Sequence, residues 1–415
     1  MLKYLSYKLL INNNDMYNIL SLDGGGSWSL LQFLTLRERY GNSKGHEILG
    51  KYDLVIATSG GSLVLAALCC NWDIDKCLSL FYEKQNRTLV FSKNSFWEKY
   101  FPADFVGLFG AGPKYSVKKK YAGLKSLFSE IEAIPMEDLP DFIGKPSLKL
   151  VVTTFDALHN KAKFFKSYGK EGKPFDSVNL IQAISGSTNA PIGYFDFPAR
   201  IKAQRSERNF YLWDGALGGF NNPVAAGLTE AIKLGVSKEE INIISLGTSN
   251  KITSQRERKY FYLLYINVIK YRKTKPGLGL KFFGKTVINQ AKTILYEPPD
   301  WANYMTYIWR FDNNLGQALE NKKRFIRLSP LLHRHSQDDN ANELDHLINE
   351  LYDLDMDLTN DDDIELLNQC FEKWKIGEIY NQPIRTNLDT KGDVLHDLGH
   401  KYFKEAMADW INMKI

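Results

Sequence analysis

The chain has 415 residues, which is enough for one large α/β domain with an extension. Hydrophobic residues make up 44% of the chain and charged residues 24%, and both values are typical of folded globular proteins, so disorder is not expected. The net charge is only +5 at pH 7. The four cysteines (Cys69, Cys70, Cys77 and Cys370) form neither a disulfide framework nor a CxxC zinc pair, which favours a reducing compartment.

Neither a signal peptide nor a membrane-spanning helix is expected. The first ten residues lack an apolar segment of useful length. The longest uncharged run, residues 54–72, has Ser59, Gly60 and Gly61 near its middle, so a strand, a tight turn and a helix explain it better than a span. Any membrane contact is therefore expected to be peripheral.

The predicted elements alternate between strands and helices in chain order. A polar arm over residues 1–16 precedes a buried strand at 18–22, a glycine loop at 24–26 and a helix at 30–40. A second strand at 54–57 and a helix at 63–70 follow, and two more apolar strands lie at 148–153 and 241–246. This alternation predicts a three-layer α/β/α fold with a mostly parallel central sheet.

Charge is strongly segregated towards the end of the chain. Residues 251–290 contain ten Lys or Arg and one acid, Glu257, whereas residues 336–366 contain twelve Asp or Glu and no Lys or Arg. The two segments are either faces that meet, surfaces for different partners, or solvated faces of surface helices. From residue 336 onward, leucines at helical spacing predict a helical extension: Leu344, Leu347, Leu351 and Leu354.

The first chemical motif is Asp23-Gly24-Gly25-Gly26, directly after a predicted strand. Consecutive glycines let backbone N–H groups approach an anion closely, and the dipole of a following helix adds to the attraction. The spacing matches neither a dinucleotide fingerprint nor a Walker phosphate loop. The alternative is a plain flexible turn.

The second motif, Ala57-Thr58-Ser59-Gly60-Gly61, connects a predicted strand to a predicted helix. Such a turn presents a serine on a strained elbow at the carboxyl edge of a sheet, and the amide of Gly60 is expected to point into an oxyanion hole. Ala57 replaces the usual glycine, and alanine is the smallest substitute. The alternative is a simple Ser-Gly turn.

The third motif is Asp214-Gly215-Ala216, followed by Asn221-Asn222-Pro223. An Asp-Gly pair is usually only a turn. Here a catalytic role for Asp214 is better supported, because a serine nucleophile needs a base and this carboxylate lies on a loop of small residues.

Together, in this order, the motifs resemble those of the patatin-like phospholipases. Two further stretches, 189–198 (NAPIGYFDFP) and 244–250 (ISLGTSN), are similar to segments of the same family. The resemblance covers residues 17 to about 250. It implies a patatin-like catalytic domain over 17–335, with a basic aromatic insertion at about 251–290, between the arm at 1–16 and an acidic helical extension at 336–415.

The resemblance also implies a mechanism. Ser59 would be the nucleophile and Asp214 its base, without a histidine, and the amides of Gly24, Gly25, Gly26 and Gly60 would hold the oxyanion. The implied activity is that of a phospholipase A or lysophospholipase acting on ester-linked fatty acids, and its chemistry requires no metal or cofactor. Two alternatives stay open: an acyltransferase or general esterase with the same dyad, or a catalytically impaired module that binds a lipid or a protein.

The glycine loop departs from the family pattern. Ser27, Trp28 and Ser29 stand where the family usually has an apolar residue, a cation and a glycine. In the family, that cation is associated with a hydrogen bond that shapes the glycine loop, and Trp28 cannot supply its charge.

The histidines offer no clear triad or metal site. Five follow Asp214: His333, His335, His346, His396 and His400. His396 and His400 are four apart on a predicted helix, but HExxH is absent, so we interpret all seven histidines as surface or structural residues.

Basic and aromatic residues interleave over 259–285, and a smaller basic run, Lys118 to Lys120, lies beside Tyr115 and Tyr121. The longer stretch predicts contact with an anionic membrane surface. The residues expected there are Lys270, Arg272, Lys273, Lys275, Phe282 and Phe283. A core helix followed by a basic loop is the alternative, and nucleic acid is not expected as a partner. A protein activator is compatible with the acidic extension. The expected location is the cytoplasm with peripheral membrane association, although an effector exported without a cleavable signal has the same sequence features.

Overall fold

The strands that precede the glycine loop and the serine turn lie side by side at the centre of one sheet. A computed structural model describes residues 16–92, 113–169, 175–191, 194–251, 298–311, 318–333, 343–357, 359–390 and 393–415. Within them, the main sheet has the strand order β5-β6-β3-β2-β1-β7-β9, and β4 pairs with β3. Its strands are β1 (Tyr17–Leu22), β2 (Leu54–Ala57), β3 (Lys149–Asp156), β4 (Lys161–Lys166), β5 (Ala199–Lys202), β6 (Asn209–Asp214), β7 (Ile241–Leu246) and β9 (Phe325–Leu328).

The sheet is mostly parallel. The five strands β3, β2, β1, β7 and β9 run parallel to their neighbours, whereas β4 and β6 pair antiparallel with β3. Five short strands lie outside this sheet: β8 (Asn250–Lys251), β10 (Pro330–Leu332), β11 (Tyr380–Asn381), β12 (Asn387–Leu388) and β13 (Val394–Leu395).

Helices cover both faces of the sheet. They are α1 (Leu30–Tyr40), α2 (Gly45–Leu49), α3 (Gly60–Cys69), α4 (Ile74–Tyr82), α5 (Lys84–Val90), α6 (Val117–Leu127), α7 (Leu139–Ile143), α8 (Leu180–Ser187), α9 (Val224–Lys233), α10 (Pro298–Phe311), α11 (Ala318–Lys322), α12 (Glu343–Asp353), α13 (Asp361–Ile376) and α14 (Phe403–Asn412).

Alternate residues of the central strands feed two separate cores, because successive side chains of a strand point to opposite faces. Leu20 and Val55 pack with residues of α1 and α3. Ile19 and Leu54 pack on the other face with residues of α9 and α10. The predicted three-layer α/β/α fold is therefore confirmed.

The C-terminal region contributes helices to the first of these cores. Leu351 of α12, Trp374 of α13 and Trp410 of α14 are fully buried and belong to the same cluster as Leu20. The helical character expected from residue 336 onward is thus present in the described residues. Among all the residues that the structure describes, no helix combines the length and the apolar character needed to cross a bilayer.

One expectation about local structure is wrong. His396 and His400 do not share a helix, and Gly399 between them has φ +90°, a left-handed conformation that regular helices do not contain. Within the basic run Lys118 to Lys120, the side chain of Lys120 is fully buried, whereas Lys118 and Lys119 are exposed. The stretch predicted to contact membranes, 259–285, lies outside the described residues.

Candidate active site

Ser59 occupies the turn between β2 and α3, in a conformation that non-glycine residues rarely adopt. Its φ is +48° and its ψ −123°, a strained geometry of the kind found at nucleophile elbows. The turn is held on both sides: the Ser59 amide donates to Ser187 Oγ at 2.8 Å, and Thr58 Oγ1 donates to the Phe220 carbonyl at 2.6 Å. Ser59 is 8% exposed, so its hydroxyl lies at the base of a depression.

Strand register brings Asp214 to the level of Ser59. Ala57 of β2 pairs with Val152 of β3, and Thr154 of β3 pairs with Asp214 at the end of β6. Ser59 follows Ala57 by two residues, as Thr154 follows Val152. The serine and the carboxylate therefore meet across β3, although 155 positions separate them in the chain.

The Asp214 carboxylate is buried and hydrogen-bonded. It accepts a hydrogen bond from the Ala216 amide at 2.9 Å, its own amide donates to the Asn189 carbonyl at 3.0 Å, and it lines the same cavity as Ser59. Burial raises the pKa of Asp214 to about 6, and the nearby Ser59 hydroxyl, the Ala216 amide and the Lys120 ammonium oppose that rise. The group can thus exchange a proton near neutral pH and remain mostly ionised there.

The glycine loop lies against Ser59. A Cβ on Gly24 would come within 3.0 Å of the Ser59 Cβ, and a Cβ on Gly25 within 2.4 Å of Thr248 Oγ1. Gly25 and Gly26 also have positive φ values, +156° and +59°. At Gly25 and Gly26, only glycine satisfies both the backbone conformation and the close approach of neighbouring atoms.

The loop amides differ in what they bind. The Gly24 amide donates to the Asn221 carbonyl at 2.8 Å, which ties the loop to the Asn-Asn-Pro motif. Among the residues that the structure describes, the amides of Gly25, Gly26 and Gly60 donate to no other protein group. These three are the donors available to an anion beside Ser59.

A cation that the sequence analysis missed lies beneath the loop. Arg327 of β9 forms a 2.6 Å ion pair with Asp23, and both side chains are almost fully buried. Its guanidinium also donates to Ser245 Oγ at 2.8 Å and to Gln382 Oε1 at 3.0 Å. A single arginine in an otherwise apolar strand, Phe325–Leu328, was the available signal. Trp28 stands at the position of the usual cation and is itself buried.

Two adjoining cavities meet at Ser59. The first is lined by Gly24, Gly25, Ser59, Ala190, Asp214, Ala216, Asn221, Thr248, Ser249 and Met356. The second is mostly apolar and is lined by Gly26, Ser59, Gly60, Leu63, Val90, Phe91, Thr188, Ala190, Tyr194, Phe195 and Met356. Each offers about 20 Å³ to a water-sized sphere, which is room for little more than one water molecule.

Met356, in the segment between α12 and α13, lines both cavities. Its carbonyl accepts a hydrogen bond from the Ser27 amide at 2.8 Å. The flanking acids hold this segment in place: Asp355 pairs with Lys114 at 2.9 Å, and Asp357 pairs with Lys114 at 3.2 Å and hydrogen-bonds to Tyr115. No sequence motif indicated that residues of the acidic region reach the site.

The histidines lie in other surroundings. His400 is buried and bonds Asp409 through Nε2 at 2.9 Å, and burial lowers its pKa. Burial also lowers the pKa of His396 to about 4. Over the described ranges, no three His, Cys, Asp or Glu side chains are grouped so that they could hold a metal ion. His335 and the six residues expected to contact membranes lie outside those ranges.

The match to known families agrees with this arrangement. Residues 20–228, half of the chain, match the family model described as patatin-like phospholipase. Proteins of this class are generally lipid acyl hydrolases. The chain belongs to the patatin-like phospholipase family, as the order of its motifs predicts.

Comparisons with solved structures and with curated protein sequences find only weak similarity or none. Among solved structures, VipD from Legionella pneumophila is similar, with 11% sequence identity and a TM-score of 0.35 over 86% of this chain and 67% of that chain. No curated protein sequence matches this chain.

Proposed function

We propose that this protein hydrolyses ester-linked fatty acids of phospholipids or related lipid esters, with Ser59 as nucleophile and Asp214 as base. The strand register that brings Ser59 and the buried Asp214 carboxylate to the wall of one cavity is the observation that carries the proposal. A serine on a strained elbow next to a carboxylate and free backbone amides is the set of groups that acyl transfer needs.

In the first step, Ser59 Oγ attacks the carbonyl carbon of the ester and its proton passes to Asp214. A base whose pKa is near 6 is ionised at neutral pH and still accepts a proton readily. Negative charge develops on the carbonyl oxygen, and the amides of Gly25, Gly26 and Gly60 donate hydrogen bonds to it. Gly24 contributes by holding the loop on Asn221.

Collapse of this intermediate breaks the bond between the carbonyl carbon and the alcohol oxygen. The alcohol or lysolipid leaves with the proton from Asp214, and the fatty acyl group stays on Ser59 as an ester. Water then attacks that ester, Asp214 again accepts a proton, and the fatty acid leaves as the serine regains its hydrogen.

The acyl chain would occupy the apolar cavity next to Ser59. Leu63, Val90, Phe91 and Phe195 supply its walls, and burying a chain against such side chains contributes about 0.8 kcal/mol for each CH₂ group. The cavity is too narrow for a chain as it stands, so substrate entry would require displacement of Met356, which lines both cavities.

Peripheral membrane association belongs to the same proposal, since a lipid substrate has to be reached at an interface. The domain limits at residues 16 and 335 and the cytoplasmic location are also proposed here from the sequence alone.

The deciding experiment compares Ser59→Ala, Asp214→Asn and the double variant with Ser129→Ala, an exposed serine remote from the site. Fatty acid release from a short soluble ester and from mixed phospholipid vesicles would be measured, with thermal melts to check folding. We expect each site variant to lose activity by at least about a thousandfold, and the double variant to lose no more, because the two residues act as one unit. Wild-type turnover by folded Ser59→Ala would refute the proposal.

Two further assays on the same proteins distinguish the hydrolase from an acyltransferase and from a lipid-binding module. Transfer of the acyl group to an added alcohol in preference to water would identify an acyltransferase. Failure of a fluorophosphonate probe to label Ser59, together with retained vesicle binding, would identify a lipid-binding module.

A further inference from the structure

Lys120 is a buried cation close to the candidate dyad. It lies in α6, and its side chain has no exposed surface, whereas the adjacent Lys118 is exposed. An ammonium group removed from water is costly unless its protons are bound and its charge is compensated. The surroundings of Lys120 therefore have to supply both.

Three acceptors surround the Lys120 ammonium. Its Nζ donates to the Ser185 carbonyl at 2.9 Å and to Asn189 Oδ1 at 2.9 Å, and it lies 3.9 Å from the centroid of the Phe195 ring. All three suit a protonated amine, and a cation over an aromatic face is attracted to it. Burial lowers the pKa of Lys120 well below its usual value, and the negative charges of Asp214 and Asp196 oppose that fall.

The segment that Lys120 contacts, residues 185–189, is hydrogen-bonded to both members of the dyad. Ser185 lies in the last turn of α8, where carbonyl groups point outward and favour a cation. Two residues on, Ser187 Oγ accepts the Ser59 amide at 2.8 Å. Asn189 then accepts the Asp214 amide through its carbonyl at 3.0 Å.

The side-chain amide of Asn189 also makes hydrogen bonds. Its Nδ2 donates to the Phe197 carbonyl at 2.8 Å and to the Leu212 carbonyl at 3.2 Å, so its Oδ1 is turned towards Lys120. One ammonium thus fixes the end of α8 and, through it, the backbone of Ser59 and Asp214.

We propose that Lys120 is a positioning residue for the dyad, and that its buried positive charge keeps the Asp214 carboxylate ionised at neutral pH. This inference rests on the proposed function. The charged side chains that bear on Lys120 are Asp214 from β6 and Asp196 from the loop before β5. On Asp214, Lys120 is the charged influence, and the Ala216 amide is a hydrogen-bond donor.

The first test is the pH dependence of kcat/KM on a short soluble ester for Lys120→Met, Lys120→Gln and Lys120→Arg. Lys118→Met, on the exposed side of the same helix, is the control. We expect the acidic limb of the profile to move upward by about one pH unit or more in the two neutral variants, since loss of a nearby opposite charge raises the pKa of a carboxyl group. Lys120→Arg and Lys118→Met should keep the wild-type limb.

Lys120→Gln guards against a folding failure, because its amide can still donate to the Ser185 carbonyl. A merely structural role would lower the rate at all pH values without moving the limb. A folded neutral variant whose acidic limb coincides with that of the wild type would overturn the inference.

The second test needs no turnover. The Asp214 carboxyl would be titrated by ¹³C NMR in Ser59→Ala and in Ser59→Ala/Lys120→Gln, with Asp214→Asn to assign the signal. A higher titration midpoint in the double variant supports the inference, and equal midpoints refute it. Absence of ester hydrolysis by the wild type would refute the proposed function alone, because this titration still reports on Lys120.

Discussion

Arg327 and Asp23 form a 2.6 Å ion pair beneath the glycine loop, with 1% and 2% of their side chains exposed. The arginine comes from β9, about 300 residues after the aspartate and outside the segment that matches the family model. It places a buried guanidinium under a loop whose usual cation is replaced by Trp28. The pair links the start of the chain to the strand next to β7.

Arg327→Met should destabilise the protein strongly. It leaves the Asp23 carboxylate buried without a cation, a change that costs about 3–5 kcal/mol. Urea unfolding would measure the loss. Asp23→Asn/Arg327→Met should lose less than Arg327→Met alone, because the uncompensated charge is gone. Equal urea midpoints for wild type and Arg327→Met would contradict this.

The cost of Arg327→Met should also depend on pH. Burial raises the pKa of Asp23 from 3.8 to about 6, and Arg327 opposes the rise. Since the folded state holds this proton more tightly than the unfolded state, stability falls as pH rises between about 4 and 6. Removal of Arg327 raises the pKa further, so the destabilisation should be small near pH 4 and largest above pH 6.

Gly60→Ala should reduce turnover more than stability. A Cβ at this position would lie 2.4 Å from the Gly26 carbonyl oxygen and 2.8 Å from the Gly26 amide nitrogen, so the glycine loop has to shift. Loss of oxyanion donors lowers kcat by about a hundredfold or more. Kinetics on a soluble ester and a thermal melt would measure the two effects.

Gly144→Ala is the matched control for that variant. Its φ is +84° and a Cβ there meets nothing within 4 Å, so it should cost roughly 1–2 kcal/mol of backbone strain and leave kcat unchanged. A folded Gly60→Ala protein with wild-type kcat would show that the loop amides are not the oxyanion donors.

Met356→Ala should favour long acyl chains. The side chain lines both cavities, while the backbone carbonyl that holds the Ser27 amide is retained. We expect the ratio of kcat/KM for a long-chain ester to that for a short ester to rise severalfold. Met413→Ala, a partly buried methionine elsewhere in the core, is the control. An unchanged ratio would mean that Met356 does not restrict entry.

Replacing Lys270, Arg272, Lys273 and Lys275 by Gln should weaken binding to anionic vesicles. Near an anionic leaflet each cation contributes up to about 1 kcal/mol, less in high salt, so the loss is about two orders of magnitude or more. Vesicle sedimentation would measure it. Gln at four exposed lysines, Lys51, Lys84, Lys233 and Lys404, removes the same charge as a control. Equal losses in both variants would contradict a specific membrane contact.

Local patterns in the sequence were sufficient for the elements around the site. The helix Leu30–Tyr40 and the strands Leu54–Ala57 and Ile241–Leu246 lie where they were predicted. Apolar runs bounded by glycine and turn residues carry that information within a few positions. The elbow at Ser59 followed for the same reason, because only five small residues (58–62) lie between the predicted strand at 54–57 and the predicted helix at 63–70.

Tertiary structure decided which side chains meet. Ser59 reaches Asp214 through the register of three strands. Tertiary structure also places Arg327 beneath the glycine loop, where it pairs with Asp23. It buries Lys120, although Lys118 and Lys119 in the same basic run are exposed. A lysine in such a run carries no local sign of burial, since burial depends on the helix face that packs against α8. Contacts between residues far apart in the chain are set by sheet order and helix packing, which short-range patterns do not encode.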